Sequence, residues 1–379
     1  MADLHARNFS RRSILSAGAM GVLAGTIGAA AARISPPVSY GLKIAEVDAL
    51  TLQVVTDAAT FGPFLDNLDL PGMKVIRAGN GGTGPAPRMS SHALLGEFGL
   101  SIHAASTLNA RTRRVMVDFG YTHEVLSNNM TLLGIDPARI DAAVLSHGHL
   151  DHYGGYAGLF GADAGAQHHL PLTVGGEETF CERVALIGNP PPIMGALDRP
   201  ALAKAGFDVR IDPKPSIIAD HAFTTGVIPL NSFERAAIPT QMRPGIGCDR
   251  ALLDPAKRDA AQLPDDGEHE LATCYAVKGL GLVVIASCSH RGVINSVRRA
   301  QAVSGIEKVH AVIGGFHLVR PRTPEEARRT VAEFARIDPT YIIPMHCTGE
   351  VFIAEALRVM PQKIMRAYVG SQFIFGAVA

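Results

Sequence analysis

The sequence DAAVLSHGHLDHYGG extends from Asp141 to Gly155, and the rest of the chain is organised around it. The apolar run 142–145 predicts a short buried strand that stops at Ser146. Four potential metal ligands follow within six residues: His147, His149, Asp151 and His152. Three imidazoles and one carboxylate suit zinc, iron or manganese better than calcium or magnesium.

The spacing of these ligands predicts a single pocket. If the chain stays extended after the strand, His147 and His149 point the same way, because alternate residues of a strand share a face. The glycine pair 154–155 then allows a tight turn that brings Asp151 and His152 back toward the same place. Two nearby histidines can occur by chance, but three histidines and an aspartate in one glycine-bounded turn indicate a metal site.

Three later apolar strands also end at histidines, which are His290, His317 and His346. Because sites in α/β sheets lie where strands end and loops begin, these residues are expected to converge with the first group. We predict a pair of metal ions, since six ligands exceed what one tetrahedral zinc needs. The expected ligands are His147, His149 and His290 for one ion and Asp151, His152 and His346 for the other.

Two of these residues are also candidates for catalysis. Asp151 is expected to bind the second metal, to orient the nucleophile, or both. His317 is expected to bind metal, or else to support a metal ligand or transfer a proton. Cys288 and His290 lie on the same face if their segment is extended, so spacing alone does not choose between them as the ligand. We favour His290, because the other strand ends supply imidazoles and a thiolate would oxidise after export. The pair 168–169, also histidines, is expected in a loop.

These motifs resemble a known family. The heptad SHGHLDH is similar to the His-x-His-x-Asp-His signature of the metallo-β-lactamase fold superfamily. The later stretches SCSHRGVIN, VIGGFHL and MHCTG resemble the branch that includes a dihydropterin ribofuranosyl-aminobenzene phosphate synthase. The resemblance implies an α/β fold, an αββα sandwich of two mixed β-sheets flanked by helices, with one or two metal ions at one edge. It also implies that Asp118 supports the metal-binding loop, although a strand-end turn would explain that residue equally well.

Composition sets limits on the function. The chain has 379 residues, of which 47% are hydrophobic and 18% charged, as in a soluble globular protein with one large core or two modest domains. Basic and acidic residues number 35 each and tryptophan is absent, so nothing indicates nucleic-acid binding. The five cysteines are odd in number and widely spaced, which predicts no disulfide framework.

Residues 1–33 resemble a twin-arginine export signal. Arg11 and Arg12 precede a weakly apolar, Gly/Ala-rich run with small residues near Ala30. A retained membrane anchor is the alternative, since the run is about long enough to span a bilayer. We expect recognition by the twin-arginine translocation machinery, signal cleavage, no stable membrane insertion afterwards, and a periplasmic or extracellular location.

The remaining residues, 38–379, are expected to form one metallo-β-lactamase-like domain. Within it, 231–268 is polar and weakly periodic, which predicts an insertion or a lid. A helix is predicted at 127–133, and a hairpin is predicted from 270 to 286. Arg291 is expected either to meet an anionic substrate group or to remain solvated.

Three functions remain open at this point. The first is an exported metal-dependent hydrolase of a small molecule, with one or two ions, zinc before iron or manganese. The second is a transferase of the synthase type, which the export signal disfavours because phosphorylated substrates are intracellular. The third is a metal-binding protein without turnover, which the complete ligand set disfavours. The sequence indicates neither the substrate nor the oligomeric state.

Overall fold

The structure, a computed structural model, describes residues 41–60, 65–77, 92–160 and 168–376. The predicted export signal lies outside these residues. Within them, no helix is both long and apolar enough to cross a membrane.

The described chain alternates between short strands and helices. The strands are β1 (Glu46–Val47), β2 (Ala49–Thr56), β3 (Leu68–Leu70), β4 (Met73–Ile76), β5 (Ser101–Leu108), β6 (Arg111–Val117), β7 (Ala142–Leu145), β8 (Leu170–Val174), β9 (Glu182–Ala185), β10 (Ile193–Gly195), β11 (Phe207–Ile211), β12 (Ile217–Ile218), β13 (Ala222–Thr224), β14 (Thr240–Arg243), β15 (Leu263–Pro264), β16 (Thr273–Val277), β17 (Gly281–Ile285), β18 (Val309–Gly314), β19 (Tyr341–Pro344) and β20 (Gln372–Gly376). The α-helices are α1 (His123–Leu132), α2 (Leu150–Tyr153), α3 (Arg199–Lys204), α4 (Pro255–Arg258), α5 (Val293–Ser304), α6 (Pro324–Ile337) and α7 (Glu350–Val359).

In the described ranges, the strands form two large sheets and one small sheet. The nine-stranded sheet has the order β11-β8-β7-β6-β5-β2-β20-β4-β3. The seven-stranded sheet has the order β12-β13-β16-β17-β18-β19, and β1 pairs with β16. The small sheet has the order β10-β9-β14-β15. Both large sheets contain parallel and antiparallel pairs, as the resemblance implied.

The main hydrophobic core combines side chains of the two large sheets. Leu50, Leu52 and Val54 recur at every second position of β2 and therefore share one face of that strand. They belong to the same cluster as Val283 on β17 and Ile313 on β18. All five are fully buried, and burying one such side chain stabilises the fold by about 1.5–3 kcal/mol.

Helices cover the outer faces of both sheets. Val297 of α5, Phe334 of α6 and Phe352 of α7 pack in one cluster with the seven-stranded sheet. Leu126 and Met130 of α1 pack with the nine-stranded sheet in a third cluster. This layering confirms the predicted αββα sandwich. The helix predicted at 127–133 is α1, which begins four residues earlier, at His123.

The topology places several strand ends at one edge. Strands β17, β18 and β19 run parallel to one another, and so do β6, β7 and β8. Carboxyl ends of parallel neighbours lie at the same edge, where sites form in α/β proteins. The loops that follow these strands carry the histidines singled out in the sequence.

Residues 231–268 are integrated into the fold through the small sheet. They contribute β14, β15 and α4, and β14 pairs with β9 in the small sheet. A disulfide joins Cys181, which directly precedes β9, to Cys248. The cysteine spacing gave no sign of this bond, because 67 positions separate residues that only the tertiary fold brings together.

Candidate metal centre

The signature segment leaves β7 and coils into a short helix instead of staying extended. His147 and His149 lie between the strand and α2, whereas Asp151 and His152 lie within α2. The helical turn, not a glycine turn, brings the four side chains to one place. All four are buried, with no more than 5% of each residue exposed.

The glycines of the motif are needed for close approach. Gly154 has a φ of −54°, an ordinary helical value. A Cβ there would lie 2.2 Å from the carbonyl oxygen of Tyr121, and one at Gly155 would lie 2.1 Å from that of Phe119. These distances leave no room for a side chain. The glycines are therefore needed for close backbone packing and not, as we expected, for a tight turn.

The first ligand group consists of His147, His149 and His290. Their candidate ligand nitrogens lie within 4.8 Å of one another. The ring centroids of His147 and His149 are 4.6 Å apart. The centroid of His290 lies 4.9 Å from that of His147 and 4.8 Å from that of His149. The structure thus brings together the three residues predicted for one ion.

The second ligand group consists of Asp151, His152 and His346, whose candidate ligand atoms also lie within 4.8 Å. The Asp151 Oδ2 atom is 3.4 Å from Nε2 of His346 and 3.6 Å from Nε2 of His152. The rings of His147 and His152 are 4.2 Å apart. The two groups therefore adjoin, which is the arrangement that a pair of ions requires.

Unpartnered polar atoms show that these residues fit a metal. The Nε2 atoms of His147, His152, His290 and His346 are buried without a hydrogen-bond partner among the described residues. Leaving a buried polar nitrogen without a partner is costly, so such atoms normally mark a ligand or an ion. Four of them converging on one place, next to a carboxylate, are what a divalent metal centre requires.

Electrostatics also favour metal binding. Burial, followed by the neighbouring imidazoles, holds the pKa values of His147 and His290 well below the usual range. Burial lowers the pKa of His149 to about 3. These rings are therefore neutral near pH 7, and the neutral imidazole is the form that binds metal.

In the second group, neighbouring charges outweigh burial and favour the charged forms of Asp151 and His346. Burial alone would raise the pKa of Asp151, but His152 and His346 lower it below its usual range, so the carboxylate is ionised. Burial would lower the pKa of His346, but Cys347 and Asp151 raise it well above the usual range. Binding of an ion at His346 therefore competes with a proton.

Asp118 supports the second group from outside. It follows β6, is fully buried, and has a left-handed φ of 58°. Its carboxylate accepts hydrogen bonds from the backbone N–H of Ser146 at 2.7 Å and from the Ser146 hydroxyl at 2.8 Å. It also lies 2.8 Å from Nδ1 of His152. This contact fixes the ring so that Nε2 points into the centre, a common arrangement for metal-binding histidines.

Two further carboxylates, not anticipated from the sequence, hold ligand loops in place. Asp57, directly after β2, accepts the backbone N–H of His346 at 3.0 Å. Glu270 accepts the backbone N–H groups of His290 at 2.8 Å and Arg291 at 2.7 Å. The placement of Asp57 at a strand end, like that of Asp118, was a usable signal, whereas Glu270 precedes its strand and carried none.

The segment 231–268 also reaches the centre. The Thr240 hydroxyl lies 3.1 Å from Nε2 of His149 and 3.4 Å from Asp265. Asp265 in turn accepts a hydrogen bond from Nε of Arg183 at 2.9 Å. This segment therefore forms a packed wall of the site in the structure, and its description as an insertion or a lid stays a prediction.

Other sequence candidates lie elsewhere. Arg291 is buried, and its guanidinium donates to the backbone carbonyls of Ile228 and Asp266, so it is not solvated. Its contact with an anionic substrate group stays a prediction. His168 stacks on Phe160 with ring centroids 3.9 Å apart, outside the centre. The neighbouring His169 is exposed on the same loop.

His317 belongs to a third group rather than to the two above. Its ring lies 4.3 Å from that of His290, and its Nδ1 atom lies 3.7 Å from Sγ of Cys288. Cys347 completes this group, with all ligand atoms within 4.8 Å. Phe98 also borders the centre. It is 61% exposed, and its ring lies 5.1 Å from that of His346.

Comparisons with known proteins agree with this geometry. A family profile described as the metallo-beta-lactamase superfamily matches residues 102–173. The crystal structure of Tm1679, a metal-dependent hydrolase of the beta-lactamase superfamily, matches with a TM-score of 0.60 at 21% identity. This match covers 85% of the present chain and 98% of that one. The chain therefore has the metallo-β-lactamase fold, and its residues 102–173 match the profile of that superfamily.

The chain is also similar to two proteins of Methanocaldococcus jannaschii. One is a 7,8-dihydropterin-6-methyl-4-(beta-D-ribofuranosyl)-aminobenzene-5'-phosphate synthase, 28% identical over 67% of this chain and 81% of the relative. The other is an uncharacterised protein, 26% identical over 65% of this chain and 83% of its own length. These relatives agree with the branch that the histidine motifs indicated.

Proposed function

We propose that this protein is an exported metal-dependent hydrolase. The observation that supports it most is the pair of adjoining ligand groups, with four buried Nε2 atoms unpartnered among the described residues. A divalent ion bound there, zinc before iron or manganese, lowers the pKa of water toward neutrality and polarises the bond under attack.

The residues of the chain then have distinct roles. Asp151, ionised and between His152 and His346, would accept a hydrogen bond from the attacking water and orient it. His317 has a buried Nε2 atom without a partner among the described residues, so it can move a proton at the edge of the centre. The buried surroundings limit access of bulk water, which strengthens these interactions.

Phe98 suggests one feature of the substrate. A side chain this exposed beside a metal centre offers an apolar surface at its mouth. Burying one aromatic group against it would contribute about 1.5–3 kcal/mol of binding. We therefore propose a small molecule with an apolar or aromatic group next to the bond that is hydrolysed.

A substrate screen tests the hydrolase proposal. Zinc-loaded protein is assayed on esters, lactones, phosphodiesters and lactams, each with and without an aromatic group. We expect at least one class to be hydrolysed, with activity lost on chelation and restored by zinc. Phe98→Ala should raise KM about tenfold for the aromatic member while changing kcat little. Absence of zinc-dependent turnover on every class would leave the third hypothesis, a metal-binding protein without turnover.

A second candidate, a transferase, is favoured by the synthase relative. In that reaction the same centre would hold a diphosphate leaving group while a pterin is joined to an aminobenzene ribotide. Incubation with these precursors and mass spectrometry of the products separates the two candidates. Formation of the joined product without hydrolysis of any screened class would replace the hydrolase proposal.

Export is the remaining part of the proposal, and two observations support it. Arg11 and Arg12 precede the apolar run, and the disulfide between Cys181 and Cys248 suits an oxidising compartment. Replacing both arginines with lysine should leave the precursor inside the cell, because the translocation machinery reads the arginine pair. Cell fractionation and immunoblotting measure this. Normal export of the double mutant would refute the twin-arginine assignment.

A further inference from the structure

The hydrolase proposal gives His317 a proton-transfer role through Nε2 but leaves the two buried thiols beside its Nδ1 atom, Cys288 and Cys347, without a role. The two Sγ atoms are 3.1 Å apart, and Sγ of Cys288 is 3.7 Å from Nδ1 of His317. None of the three residues is more than 7% exposed. A buried thiol alone usually packs as a small apolar group, but two thiols and an imidazole in mutual contact form a set of soft ligands.

The backbone around this cluster is unusual as well. Ser289, His317 and His346 have left-handed φ values of 62°, 40° and 49°. This conformation is disfavoured for residues other than glycine, and it tends to persist where function requires it. Here it lets the loops after β17, β18 and β19 direct Cys288, His317 and Cys347 to one point.

We propose that Cys288, Cys347 and His317 bind one soft monovalent ion, Cu(I), at a site of its own beside the metal pair. Two thiolates and one imidazole are ligands that select soft ions such as Cu(I). Binding releases to solvent any proton that the ligand thiols carry, and it changes no oxidation state.

Charge favours a monovalent ion at this position. Cys288 also lies within 4.8 Å of ligand atoms of His147 and His152, so the site is close to the pair. Repulsion between ions scales with the product of their charges, so a monovalent ion is repelled half as strongly as a divalent one. The two thiolates more than balance its single charge.

The test uses the full chain, loaded with zinc and kept reduced and free of oxygen. Cu(I) is supplied as a complex with a chromophoric chelator, and copper and zinc per chain are measured after gel filtration. We expect one copper per chain with no loss of zinc, together with ultraviolet absorption from thiolate-to-copper charge transfer. Cys288→Ser and Cys347→Ser should each weaken copper binding at least tenfold.

Cys274→Ser is the matched control, because Cys274 is an equally buried free cysteine in β16 that belongs to no candidate ligand group of the described residues. It should bind copper like the wild type. No copper uptake, zinc released in proportion to copper bound, or unchanged affinity in both serine variants would each overturn the proposal.

X-ray absorption of the copper-loaded wild type keeps the test independent of how the variants fold. Two sulfur neighbours and one nitrogen neighbour support the site, and nitrogen neighbours alone contradict it. Recovery of a Cys288–Cys347 disulfide from protein kept reduced would also contradict it, since no thiolates would remain. None of these measurements depends on hydrolytic activity.

Discussion

Replacing His290 with alanine should remove the ion held with His147 and His149, whereas replacing Cys288 with serine should leave the zinc pair in place. His290 completes a group of three buried imidazoles, and its Nε2 atom has no hydrogen-bond partner among the described residues. Loss of a residue that only supports a ligand costs about 10–100-fold in metal affinity. Loss of a ligand itself should therefore cost more than about 100-fold.

Zinc content and affinity of the two purified variants measure this effect. Each is checked for folding by circular dichroism, because a lost buried side chain can also destabilise the protein. His221→Ala is a matched control, since His221 is a buried histidine whose Nδ1 contacts Ser106, away from the centre. If Cys288→Ser loses zinc and His290→Ala keeps it, the first ion is bound by cysteine instead.

Replacing Asp118 with asparagine should lower the affinity for the second ion by about 10–100-fold. Its Oδ2 atom contacts both the Ser146 hydroxyl and Nδ1 of His152, and an amide NH2 group in that place cannot accept from either. His152 then loses the contact that directs Nε2 into the centre. Because the carboxylate is fully buried, the free energy of unfolding should also fall by about 1.5–3 kcal/mol.

Asp141→Asn is a control that separates the loss of metal affinity from the loss of stability. Asp141 lies at the other end of β7 and pairs with Arg113 at 2.8 Å, where it also accepts the backbone N–H of Arg114. Its replacement should lower stability without changing zinc affinity. Titration calorimetry with zinc and denaturant unfolding give both quantities. Unchanged zinc affinity in Asp118→Asn would show that Asp118 only forms the turn at the end of its strand and does not support the metal-binding loop.

The parts of the site that could be predicted from the sequence are those with a local cause. A short apolar run before His147, and similar runs before His290 and His346, indicate buried strands, and parallel strands end at one edge. From the sequence alone, that reasoning places the six candidate ligands in two groups of three. It also depended on the resemblance of the SHGHLDH motif for the two-sheet architecture.

The parts that could not be predicted depend on contacts between residues distant in sequence. Glu270 is 20 positions from His290, and Thr240 is 91 positions from His149. Neither has a pattern around it that would indicate the contact. Cys347 was overlooked for a different reason, because adjacent residues normally point apart. The left-handed backbone at His346 lets both side chains enter the same buried region.

The role of the glycine pair after the histidine motif was also predicted wrongly, because two different structural needs both require glycine. A glycine pair after the motif fits a tight turn and fits close backbone packing equally well. The structure supports packing, because a Cβ at Gly154 or Gly155 would meet a carbonyl oxygen. Substituting either glycine should therefore disturb the ligand helix α2 rather than a turn.

We expect the two adjoining residue groups to hold a pair of metal ions. Anomalous X-ray diffraction from zinc-loaded crystals, recorded on both sides of the zinc absorption edge, locates each ion. Two zinc peaks are expected, one among His147, His149 and His290 and one among Asp151, His152 and His346. A single peak would remove one of the two sites, and zinc found only away from these six residues would contradict the proposed metal centre.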